Sequence, residues 1–124
     1  MFTTAPMMVV LHVRDLATAR AFYESTLGLR VLYEDPMGLE LDAAGTLVRL
    51  GHHPEHQPIG GTVAGWTVED LETTLDAMDA AGVTLARFDG LEQDPRGIWQ
   101  PFPGGPRIAW FRDPDGNTLS VRQM

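Results

Sequence analysis

Apolar and polar residues alternate along the chain in short runs, broken at intervals by Asp and Gly. "MMVVLHVRDL" (7–16) has the two-residue period of a strand and ends at Asp15, which can cap a helix through "LATARAFYESTLG" (16–28). Within that helix Leu16, Ala19, Phe22, Tyr23 and Leu27 recur near helical spacing, and Gly28 supplies a stop. "LRVLYED" and "MGLELDA" follow as strands, and the turn "DAAG" (42–45) leads into the strand "TLVRLG". After residue 61 the order returns. "GTVAGWTVED" is predicted as a strand with an acidic cap, "LETTLDAMDAAG" as a helix stopped by Gly82, and "VTLARFD", "GPRIAWFRDPDG" and "NTLSVRQM" as strands.

The pattern is strand, helix and three strands, twice over. Asp15 precedes Asp42 by 27 residues and Asp70 precedes Asp113 by 43; both later acids open a D-x-x-G turn. The difference falls in "GLEQDPRGIWQPFPGG" (90–105), an insert of the kind that often carries binding contacts. Duplication follows: two modules of strand, helix and three strands, residues 1–50 and 62–124, joined by a linker at 51–61.

Composition narrows the chemistry. The chain has 124 residues and no cysteine, and all nine basic residues are arginine. Thiolate nucleophiles, Cys-ligated metals, lysine Schiff bases and Walker-type phosphate loops are therefore excluded. A formal charge of −8 opposes nucleic-acid binding and favours cationic ligands. The first residues lack a signal-peptide pattern, and Met7–Leu11 is too short to cross a membrane, so a cytoplasmic location is expected.

The chain resembles the vicinal oxygen chelate superfamily of glyoxalase I, extradiol dioxygenases and bleomycin-resistance proteins. The likeness rests on "HVRDLATARAFYESTLGLRV", "GWTVEDLETTLDAMDAAGV" and, most specifically, "AWFRDPDGNTLSV". It implies an α+β fold of two βαβββ modules forming curved mixed sheets around a cavity, often at a dimer interface, and so a homodimer. It also implies metal ligands at four positions, which in this chain hold Met8, Arg49, Val63 and Ser120. A thioether, a guanidinium, an isopropyl group and a hydroxyl do not make a chelating set, and a shift of one residue rescues none of them. No metal and no cofactor are therefore expected, which puts the chain closest to the bleomycin-resistance branch.

The loop "GHHPEHQPIGG" holds three of the four histidines. Adjacent His52 and His53 should diverge, and Pro54 and Pro58 prevent a helix that would align His53 with His56. The loop reads as a hinge. For the cavity, strand alternation puts His12 on the same face as Met8, as a hydrogen-bond donor or general base or else as a core histidine with a satisfied neighbour. Arg49, Ser120 and Thr118 offer polar contacts, while Trp110, with Trp99 and Phe102 from the insert, could clamp a planar ligand or pack structurally. Trp66 alternates to the opposite face and should pack beneath the second helix. Two functions stay open. One is sequestration of an aromatic or cationic natural product such as an antibiotic. The other is a metal-independent lyase, isomerase or tailoring enzyme with His12 as acid–base and Arg49 stabilising an anion.

Overall fold

A computed structural model describes residues 1–124. The chain divides into two compact units, Met1–Gln57 and Pro58–Met124.

The first unit runs β1 (Met8–Val13), α1 (Leu16–Arg20), a π-helical segment (Ala21–Thr26), β2 (Arg30–Asp35), β3 (Gly38–Ala43) and β4 (Thr46–His52). Its four strands lie in the order β1-β4-β3-β2, with β1 parallel to β4 and the other pairs antiparallel. Asp15 caps α1 by accepting the Thr18 N–H at 3.0 Å. The predicted helix extends as expected but changes pitch, and the wider winding seats the fully buried Tyr23. Leu11, Val13, Leu39, Leu41, Val48 and Leu50 bury one sheet face; the alternate residues form the outer face. Removing about 100 Å² or more of apolar surface per such side chain contributes roughly 1.5–3 kcal/mol each. β4 continues through His52, so Gly51 and His52, expected in the linker, belong to the strand.

The second unit runs β5 (Thr62–Thr67), α2 (Leu71–Ala80), β6 (Arg107–Arg112) and β7 (Thr118–Gln123), with sheet order β5-β7-β6. Asp70 repeats the cap, accepting the Thr73 N–H at 3.1 Å. As in the first unit, the opening strand pairs parallel with the closing one, and the last two strands are antiparallel. Leu71, Leu75, Ile98, Ala109 and Val121 form its core.

The predicted strand "VTLARFD" forms only as an isolated bridge between Leu85 and Phe111. The cause is Gln93. Its side-chain carbonyl accepts the Phe88 N–H at 2.8 Å, and its amide donates to the Ala86 and Gly97 carbonyls at 3.0 and 2.8 Å. A side chain thus takes backbone groups that a ladder would otherwise use. The insert folds back, and Trp99 pairs with Ile108 through two backbone hydrogen bonds.

In the D-P-D-G turn, Asp113 accepts the Asp115 and Asn117 N–H groups, both at 2.9 Å, and Gly116 adopts φ +83°. No helix is long and apolar enough to cross a membrane.

Candidate functional site

Each unit presents an outer sheet face. In the first, Met8, Val10 and His12 are exposed while Leu11 and Val13 are buried, as strand alternation requires. Val10 pairs with Arg49 and His12 with Gly51. Arg49 donates to Glu40 at 2.9 Å and to Asp35 at 3.5 Å. The Glu40 hydrogen bond raises the Arg49 pKa, and the Met37 backbone N–H, followed by Arg49, lowers that of Asp35. Gly38 makes this possible, because a Cβ there would lie 2.9 Å from the Arg49 guanidinium. The guanidinium is therefore flanked by two carboxylates of its own sheet, which blunts its use as an anion stabiliser.

In the second unit a concavity of about 400 Å³ is lined by Thr62, Gly65, Trp66, Thr67, Ile108, Trp110, Ser120 and Arg122. Sheet register explains most of this set. Trp110 pairs with Ser120, Ser120 with Gly65, and Arg122 with Ile108 and Thr67. Gly65 leaves the Ser120 hydroxyl its space, since a Cβ there would collide with it. The Trp110 indole N–H donates to Thr62 Oγ1 at 3.1 Å, which fixes the ring's tilt. Around it stand Phe88, edge-on at 5.5 Å, and Trp99 at 6.0 Å; Arg112 lies over the Phe88 ring. Such aromatic contacts are each worth about 0.5–1.5 kcal/mol beyond area.

Trp110 and Ser120 thus line one concavity, and Trp99 stands against Trp110. Val63 does not line it. A register shift between Thr62 and Ala64 turns Val63 out of step, and Thr62 takes the place expected for it. Thr118 is buried within β7 and does not line the concavity, and the exposed Phe102 packs its ring on Gly105, outside the Trp99–Trp110 contact. Trp66 lends surface to the lining, but its ring stacks on the buried Phe111 at 6.1 Å. Phe88 was missed because its approach to Trp110 depends on the Gln93 clamp. Gly65, Ile108, Thr67 and Arg122 could have been read from alternation once Trp110 and Ser120 were placed.

His12 does not stand alone. Its ring lies 5.5 Å from that of His53 and 5.9 Å from that of His56. As placed, no group of three or more His, Cys, Asp or Glu side chains forms a metal-holding set.

The chain covers 98% of itself and 99% of the glyoxalase family protein of Enterococcus faecalis, at TM-score 0.77 and 18% identity. It covers all of itself and of a superfamily member from Sphaerobacter thermophilus DSM 20745, at TM-score 0.74 and 23% identity. The lactoylglutathione lyase of Agrobacterium tumefaciens is similar at TM-score 0.72 and 19% identity, over 97% of this chain and 93% of that one. At these identities the likeness shows the fold. No curated protein matches the chain. The family model described as Glyoxalase/Bleomycin resistance protein/Dioxygenase superfamily matches residues 7–121, and the chain belongs to that superfamily.

Proposed function

We propose that this protein binds a small planar organic molecule over the outer sheet face of its second unit, without a metal at the superfamily's four chelating positions. One observation carries the reading: an indole pinned by Thr62 and backed by Phe88 and Trp99 stands over a concavity whose polar groups are hydroxyls and Arg122. A rigid aromatic wall beside a few fixed polar groups suits an aromatic guest. No carboxylate lines this concavity, so an aromatic guest is preferred over a purely cationic one.

Donor chemistry supports metal independence. Met8 offers a thioether, Val63 nothing, Ser120 a neutral hydroxyl, and Arg49 a cation already held by Glu40 and Asp35. The enzyme alternative loses ground for the same reason, because its anion stabiliser is neutralised. Sequestration of a natural product such as an antibiotic is the function that fits a site with binding surface and no assembled catalytic groups. The reading includes a homodimer, in which a second copy would cover the exposed Met8 and Val10 of β1.

Titration with intercalating and peptide antibiotics, followed by tryptophan fluorescence in the presence of chelator, tests the proposal. Saturable quenching, with the ligand recovered unchanged and affinity lost at least about tenfold in Trp110→Ala, is expected. Binding no tighter than about millimolar across the panel, or turnover that a chelator abolishes, would refute it.

A further inference from the structure

We infer that the guest of the second unit's concavity is a planar aromatic anion, an aryl carboxylate held through its ring by Trp110 and through its charge by Arg122. The inference rests on the reading of that concavity proposed above and narrows it to one class of ligand.

Arg122 is exposed, its Nε–H donates to Thr67 Oγ1 at 3.0 Å, and its terminal nitrogens donate to no other group of the chain. Other arginines are taken up. Arg20, Arg30, Arg49, Arg96 and Arg107 each pair with a carboxylate, Arg87 donates to backbone carbonyls, and Arg112 lies over the Phe88 ring. The chain has 17 acidic and nine basic residues, so carboxylates are plentiful, yet none reaches Arg122. A guanidinium steered by a neighbouring hydroxyl and left with an open fork is placed to take a carboxylate from outside.

The hydroxyls beside it have the same polarity. Thr62 Oγ1 accepts the Trp110 indole N–H, and Thr67 Oγ1 accepts from Arg122. Both oxygens are thus used as acceptors, which leaves their own O–H groups to donate. Ser120 adds a third hydroxyl, in the space that Gly65 leaves for it. No carboxylate lines the concavity. A guest therefore meets N–H and O–H donors beside an aromatic wall, an environment that favours negatively charged oxygens over an ammonium group. This local polarity opposes the formal charge of −8, from which a cationic ligand is the expectation.

Sheet register sets the span. Trp110, Ser120 and Gly65 form one cross-strand row, and Ile108, Arg122 and Thr67 form the row two residues along. Two residues of strand cover about 7 Å, so a ring against Trp110 with its carboxylate at Arg122 corresponds to a one- or two-ring aromatic acid. Such a guest fits within about 400 Å³.

Proton–nitrogen NMR titration with 2-naphthoate, 2-naphthylmethanol and 2-naphthylmethylammonium, which share one ring system, tests this at neutral pH with chelator present. All three should move the Trp110 indole signal, and the carboxylate alone should move the Arg122 Nε signal. The carboxylate should bind about 5–20-fold tighter than the alcohol, with the ammonium weakest. Raising the salt from about 0.02 to about 0.5 M should narrow that ratio. Arg122→Gln should reduce it below about twofold, and Thr67→Val, which releases Nε, should reduce it in part. Arg30→Gln, in the first unit, should leave it unchanged. Circular dichroism verifies folding; if Arg122→Gln does not fold, Thr67→Val and the salt series carry the test. Equal binding of carboxylate and alcohol, a ratio that survives Arg122→Gln, or an equal loss in Arg30→Gln would overturn the inference and leave the aromatic site standing. A Trp110 signal that none of the three guests moves would bring down both.

Discussion

Gln93→Ala should unravel the path of the insert while leaving the two sheets intact. The wild-type side chain makes three part-buried hydrogen bonds to backbone, with Phe88 N, Ala86 O and Gly97 O. At a net value of about 0.5–1.5 kcal/mol each, their loss costs roughly 1.5–4.5 kcal/mol, and about 3 is the central expectation. For a domain of this size that lowers Tm by about 10 °C. Gln93→Glu is a second test, because it keeps an acceptor for the Phe88 N–H but sets a carboxylate oxygen against the Ala86 and Gly97 carbonyls, so it should lose at least as much stability as Gln93→Ala. Thermal and urea unfolding followed by circular dichroism measures both variants. Tryptophan emission adds a local readout, since Phe88 and the insert's Trp99 both lie against Trp110. A Tm change under about 2 °C for Gln93→Ala, or a glutamate variant as stable as wild type, would refute the claim that one side chain organises the insert.

Three further outcomes are expected. Arg107 makes a two-pronged ion pair with Glu72, holding that carboxyl at about 2 instead of its ordinary 4.5. A depressed acid stabilises the fold above its unfolded pKa, so Arg107→Met should lower Tm at neutral pH. The difference from wild type should fade as the pH falls from 4.5 towards 2; a gap unchanged at pH 2 contradicts the ion pair. Gly38→Ala places a Cβ 2.6 Å from the Leu50 carbonyl, which is backbone and cannot swing aside, so a loss of roughly 1–3 kcal/mol in urea unfolding is expected and a neutral result refutes the close approach. Light scattering should give twice the chain mass of 13.6 kDa, with Val10→Glu shifting the protein towards monomer; a monomeric wild type contradicts the pairing of exposed first-unit faces.

The first unit was largely legible because its apolar alternation, Asp15 cap and D-A-A-G turn are local signals that agree with one another. Local signals also placed the α2 cap at Asp70 and the outward set Met8, Val10 and His12. What escaped depends on contacts distant in sequence or on irregular backbone. The shift at Val63 exchanges it for Thr62, and nothing in "GTVAGW" announces a bulge. The strand expected at 83–89 has adequate β-propensity, but Gln93 takes two of its backbone groups. The histidine cluster was hidden for a third reason: His12 lies 41 positions before His53, and only the parallel register of β1 with β4 joins them.

The central claim is that an organic guest settles against Trp110 with no metal at the chelating positions. Proton–nitrogen NMR on labelled protein, with chelator present throughout, tests it most directly as an intercalating antibiotic is added. The account predicts saturable shifts of the Trp110 and Trp99 indole signals and of the Gly65 and Ser120 amides. Signals that stay still until a divalent metal is supplied would contradict it.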